Sequence, residues 1–205
     1  MVLTPSTMMP LGTLAPDFSL PDVVSGKKIS PADFKNKKAL LVMFVCRHCP
    51  YVQHIKQELA KIGRDYASQE IGIVAISSND AKGYPDDSPA NLKAMVKELD
   101  LAYSFCHDES QEIAKKYSAA CTPDFFLFMN EKSAFRLAYR GQLDDSRPGN
   151  GKPVTGKDLR AAMDAVLAGK SPAAVQKPSI GCNIKWKPGN EPDYFKSHLA
   201  EAKNG

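Results

Sequence analysis

The chain has 205 residues, a length suited to one domain with room for a sizeable tail. Its 27 basic and 23 acidic residues leave a formal charge of +4 with no long basic run, so neither balance nor patterning argues for nucleic acid. With 43% hydrophobic and 24% charged residues it has a globular composition. The longest apolar run, residues 39–46, falls far short of the roughly 18 residues of a membrane span.

Residues 1–37 are punctuated by Pro, Ser and Gly. The first twenty carry no Lys or Arg and no long apolar stretch, so they lack the marks of a secretory signal, and a cytoplasmic location is expected. Asp17-Phe18-Ser19-Leu20, followed by Ser25-Gly26, predicts extended segments or a hairpin laid over a core. Residues 39–45 are continuously apolar and predict a strand buried on both faces. Val52, Ile55, Leu59 and Ile62 then recur at three- and four-residue steps, the spacing of an amphipathic helix with Pro50 in its first turn.

Residues 71–76 predict a second buried strand. Ser88-Pro89 predicts a helix start before the apolar stripe Leu92, Met95, Val96 and Leu99. A short strand is expected over 103–106, and Asp108 with Gln111 reads as a capping box for a helix to Tyr117. Residues 125–129 form a third strong strand, with 134–139 as its hairpin partner. Thr155 with Asp158 is expected to cap a last helix through Leu167, stopped by Gly169. The Pro- and Lys-rich remainder, pinned by Trp186, completes a division into a domain over 1–170 and a packed tail over 171–205. Parallel crossovers that give way to a closing hairpin predict an α/β fold: a mixed sheet flanked by helices.

Five cysteines are too few and too unevenly spaced for a disulfide scaffold, and the odd count leaves at least one thiol over. Cys46-Arg47-His48-Cys49 lies where the first buried strand meets the amphipathic helix. Unpaired amides and the helix dipole favour thiolate at such a junction, and Arg47 and His48 add positive charge between the sulfurs. Two intervening residues bring the second sulfur within reach of the first, so a mixed disulfide at one is displaced by the other. Cys46 is expected to be the exposed, more acidic nucleophile and Cys49 the buried resolving thiol. A zinc half-site completed by Cys106, Cys121, Cys182, His54 or His107 is the competing reading. It finds no second Cys-x-x-Cys or His-x-x-x-His, and no metal or cofactor is expected.

That junction, followed by a strand, a helix and then Thr122-Pro123 directly before an apolar strand, resembles the thioredoxin-like superfamily. The opening Leu14-Ala15-Pro16-Asp17-Phe18 and the extra segment between Asp80 and Ser118 resemble its peroxiredoxin-like branch, the alkyl hydroperoxide reductase/thiol-specific antioxidant proteins. The resemblance covers about residues 13–167. It implies a thioredoxin-like mixed sheet with an N-terminal extension and a C-terminal tail, a cis Pro123, and Thr122 and Pro123 as substrate-positioning residues whose backbone pairs with a bound chain. The peroxidase signature Pro-x-x-x-Thr-x-x-Cys is missing. Counting from Cys49 places Cys46 and Val42 at its Thr and Pro; counting from Cys46 places Met43 and Ala39 there.

The preferred function is therefore thiol–disulfide exchange, as an oxidoreductase working through a redox-active disulfide. A thiol-dependent peroxidase with antioxidant activity, and a non-catalytic redox-sensing or metal-binding module, are the alternatives. Expected partners are a protein or small-molecule disulfide or thiol and a reductant such as a thioredoxin or low-molecular-weight thiol, with no nucleic acid and no membrane. His54 is read as helix-face structure and Cys106 as a small buried hydrophobe. Cys121 and Cys182 are candidate auxiliary thiols, and the hypothesis is that the tail folds back to bring Cys182, beside Gly181, near Cys121. Asp86-Asp87 and Asp144-Asp145 are read as solvated loops.

Overall fold

The first buried run forms a strand in which all six residues, Ala39–Phe44, are inaccessible to solvent. In a computed structural model, which describes residues 3–195, this strand is the centre of a five-stranded sheet. The extended elements in chain order are β1 Leu3–Pro5, β2 Leu20–Pro21, β3 Lys28–Ile29, β4 Ala39–Phe44, β5 Ile71–Ser77, β6 Ser104–His107, β7 Cys121–Thr122, β8 Asp124–Glu131, β9 Ala134–Gly141 and β10 Ile180–Asn183. The helices are α1 Pro50–Tyr66, α2 Pro89–Leu99, α3 Glu112–Lys116 and α4 Lys157–Leu167.

The central order is β6-β5-β4-β8-β9, parallel from β4 through β6 and antiparallel from β4 through β9. The three strong runs are adjacent, as their burial required. Alternation along β4 sends Leu41 and Met43 to one face, where α1, α2 and α4 pack, and Leu40, Val42 and Phe44 to the other. That second face is covered by α3 together with Phe18, Tyr117, Trp186 and Phe195, so a single short helix and extended chain do the work expected of more helices. Each such fully buried side chain contributes about 1.5–3 kcal/mol by leaving water. Among the described residues no helix is long and apolar enough to cross a membrane.

Ser88 caps α2, accepting from the Asn91 N–H at 3.4 Å with Pro89 at the first position. The capping box at 108–111 is not formed. Asp108 accepts from the Ile113 and Ala114 N–H groups, whereas the buried Gln111 side chain donates to the carbonyls of Ser78 and Lys185. At α4 the cap residue is Gly156, with φ +67°, in place of Thr155. The Gly156 and Thr155 N–H groups donate to Asp144, which is buried and not a solvated loop residue as its sequence suggests.

The tail does more than pack. β10 lies between β1 and β7 in a second sheet, antiparallel to both, with Cys182 opposite Thr122 and Asn183 opposite Cys121. Trp186 is buried against Tyr194 at a ring separation of 6.4 Å.

Candidate active site

β4 delivers Cys46 just beyond its last residue, and Cys49 is the N-cap of α1 with extended backbone, followed by Pro50 at the first helical position. Thr122-Pro123 is cis and meets both sulfurs. Cys46 Sγ lies 3.4 Å from the Thr122 hydroxyl and Cys49 Sγ 3.2 Å from the Thr122 carbonyl oxygen, and the Cys46 and Cys49 thiols hydrogen bond to each other. Both cysteines have 0% of their surface exposed. The expectation of an exposed Cys46 is therefore corrected: the site is closed in this state.

A third sulfur completes it. Cys182 Sγ is 2.6 Å from Cys49 Sγ. The tail folds back beside Cys121 as expected, with Asn183 opposite it, but the Cys182 sulfur turns to Cys49 rather than to Cys121. Residues directly opposite in an antiparallel pair share a face, so Cys182 follows Thr122 toward the Cys46–Cys49 pair, while Cys121, one residue earlier, takes the other face. There Cys121 donates to the Pro123 carbonyl, and burial followed by the Asp124 carboxylate pushes its thiol well up. Because β10 pairs with Thr122, the backbone edge that the resemblance assigns to a bound substrate chain is filled by the protein's own tail.

The acidity of the pair is also the reverse of the expected order. Burial, then the Cys49 thiol, then the Asp87 carboxylate hold Cys46 well above the ordinary thiol range. At Cys49 the contacts with the Cys182 thiol and then the Cys46 thiol, with the Thr122 side chain and the Val52 N–H, outweigh burial and lower the thiol from its ordinary value. When protonated, Cys49 donates toward the Thr122 carbonyl and the Cys182 sulfur. Cys182 is raised, first by its bond to Cys49 and then by burial, although the Tyr51 N–H also reaches it. The first-turn amides of α1 thus serve Cys49 and Cys182.

Arg47 and His48 do not act alike. The Arg47 guanidinium donates to the Asn91 carbonyl at 2.7 Å and to Glu98 at 3.0 Å, so its charge is committed to α2 rather than to tuning the thiols. His48 stacks on Tyr84, with ring centroids 5.3 Å apart, and its Nδ1 lies 2.5 Å from Asp87 Oδ2. Asp87, read from sequence as solvated, is wholly buried. It accepts from the Arg47 and His48 N–H groups and from the Asn79 side chain. Burial raises its carboxyl, but His48, Asn79 and the Arg47 N–H more than offset this and hold it below its ordinary value. Sequence offered no sign of this role, since Asp87 follows Asp86 in a loop.

Cys46, His48 and Asp87 place one donor atom each within 4.8 Å of one another, the one grouping among the described residues with metal-ligating chemistry. His48 Nδ1 and Asp87 Oδ2 bond each other, while His48 Nε2 is buried without a hydrogen-bond partner among the described residues. None of the partners proposed for a zinc half-site belongs to it. His54 bonds the Ser146 hydroxyl at 2.7 Å, and Cys106 is buried, with its thiol pushed up to about 12 by burial.

The family model for AhpC/TSA proteins matches residues 11–139. The chain belongs to the AhpC/TSA family. A crystal structure of an uncharacterized conserved protein from Geobacillus kaustophilus superposes on it with a TM-score of 0.88 at 49% identity, covering 92% of this chain and 98% of that one. A hypothetical protein from Sinorhizobium meliloti 1021 gives 0.87 at 52% identity, over 91% of this chain and 100% of the other. The thioredoxin domain of a thiol-disulfide oxidoreductase from Bacteroides vulgatus shares the fold, with a TM-score of 0.52 at 20% identity over 65% of this chain and 91% of that one. In sequence the chain is 28% identical over 130 residues to thiol-disulfide oxidoreductase ResA of Bacillus thuringiensis subsp. konkukian, matching 60% of this chain and 66% of that protein. The matched stretch thus spans somewhat less than two thirds of that relative's length.

Proposed function

We propose that this AhpC/TSA family member is a thiol–disulfide oxidoreductase whose working couple is Cys46–Cys49. The observation that carries the reading is the hydrogen-bonded pair of thiols at the N-terminus of α1, both in contact with the Thr122 that precedes a cis proline. Its relatedness to ResA supports the same reading.

In the proposed cycle Cys46 attacks a substrate disulfide, passing its proton to Cys49 along their hydrogen bond. A mixed disulfide forms and a substrate thiolate leaves. Cys49 then displaces the second substrate thiolate from Cys46 and closes Cys46–Cys49. An external thiol, protein or small molecule, restores the dithiol. Asp87 fixes the backbone of Arg47 and His48, and so the position of Cys46 between them and Thr122. A reducing compartment such as the cytoplasm belongs to the same proposal, since the couple needs a supply of thiol.

One observation favours a second reading, thiol-dependent peroxide reduction. The hydroxyl missing from the family's peroxidase signature is supplied by Thr122, 3.4 Å from Cys46 Sγ. Turnover of oxidised glutathione and of insulin, compared with turnover of hydrogen peroxide at equal enzyme, tests both. Exchange on the disulfides that is lost in Cys46→Ser supports the first reading. Peroxide turnover alone would replace it with the second.

A further inference from the structure

The tail strand β10 carries the third sulfur of the site, and nothing in a two-cysteine exchange uses it. Three observations bear on it. Cys182 Sγ stands 2.6 Å from Cys49 Sγ, against about 2.05 Å in a formed disulfide, so the two side chains already converge. Gly181 lets β10 lie so close to β7 that a Cβ at that position would fall 2.0 Å from the Thr122 carbonyl oxygen. The approach is therefore built into the sequence of the strand. Finally, Cys46 and Cys49 are fully buried, so Cys182 is the thiol that Cys49 meets without any opening of the site.

We propose that Cys182 is a third redox thiol of this site, which takes over Cys49 from Cys46 so that the oxidised protein holds a Cys49–Cys182 disulfide. The proposal rests on the exchange reading for the origin of the first disulfide. Once Cys46–Cys49 has been formed by an external disulfide, the Cys182 thiolate attacks Cys49 Sγ. The Cys49–Cys182 bond forms, the Cys46–Cys49 bond breaks, and the proton given up by Cys182 ends on Cys46. One disulfide replaces another, with no net oxidation and no further reactant. Cys49 is the central sulfur, in contact with the attacking and the leaving sulfur alike, as this displacement requires. The consequence is functional: Cys46 is returned as a thiol while the oxidising equivalents are kept in the protein, so the chain can meet a second substrate disulfide, or hand the stored disulfide on through β10.

The test is disulfide mapping of the full chain. The protein is oxidised with diamide, quenched in acid, blocked with N-ethylmaleimide in denaturant and digested with trypsin without reductant. Cleavage after Arg47 separates Cys46 from Cys49, so the two pairings give linked peptides of different mass. The expected result is a Cys49–Cys182 linkage with Cys46 alkylated. In Cys182→Ser the alkylation of Cys46 in oxidised protein should fall several-fold. Oxidised protein that holds only a Cys46–Cys49 linkage overturns the proposal, as does unchanged Cys46 alkylation in a folded Cys182→Ser. Failure of the exchange reading looks different: the linkage forms, but neither oxidised glutathione nor insulin is turned over.

Discussion

Gly181 and the carbonyl of Thr122 are in such close apposition that the smallest added side chain would overlap the oxygen, at 2.0 Å. This contact seats β10 against β7 and, one residue on, presents Cys182 to Cys49. Gly181→Ala is expected to force β10 away from β7 and cost about 1–3 kcal/mol, as overpacking does. Thermal unfolding should report the loss, and thiol titration of the native protein with a chromogenic disulfide should show Cys46 and Cys49 reacting at least tenfold faster. Unchanged thiol reactivity would mean that β10 does not close the site.

The roles within the pair are separable by trapping. Cys46→Ser should abolish turnover of a disulfide substrate, whereas Cys49→Ser should accumulate a mixed disulfide on Cys46, visible as an added mass of one substrate half. Equal trapping by both variants would show that either sulfur attacks first.

Asp87 is expected to act on Cys46 through charge and on the loop through hydrogen bonds. Asp87→Asn removes the carboxylate that raises the Cys46 thiol, so the pH profile of thiolate absorbance should shift toward lower pH. Loss of a buried acceptor should cost about 1–3 kcal/mol of stability at neutral pH. Because the folded pKa of Asp87 lies below its unfolded value, its contribution is present above pH about 3.8 and disappears on acidification through the lower folded value. Denaturant midpoints of the variant should accordingly converge on those of the parent below that range.

Asp124 works with the opposite sign. It is fully buried at the start of β8, and burial outweighs the Ser6 hydroxyl and the Ala120 and Phe125 N–H groups to raise its carboxyl to about 7. A raised folded pKa contributes stability that is complete below pH 3.8 and is lost as pH rises through about 7. Asp124→Asn should therefore gain on the parent between pH 4 and pH 8, by on the order of 4 kcal/mol. Urea unfolding of both proteins across that range checks it. A constant difference would show that the carboxyl keeps an ordinary pKa.

The sequence by itself determined the features set by neighbouring residues. The all-apolar run before Cys46 can only be a strand buried on both faces, and the stripe Val52, Ile55, Leu59, Ile62 can only satisfy itself as α1. Their junction therefore places Cys49 at a helix N-terminus. The tertiary structure decided what no local pattern encodes. Ser88 was legible as a cap, but Asp87 beside it gave no hint that it would be buried beneath His48, because its partners at 47, 48 and 79 come from other loops. The sequence suggests that Cys182 meets Cys121. In a sheet whose side chains alternate, one residue of register chooses the face, and pairing Cys182 with Thr122 rather than with Cys121 sends its sulfur to Cys49. That choice rests on a contact between residues 133 positions apart, which is settled only when β10 docks.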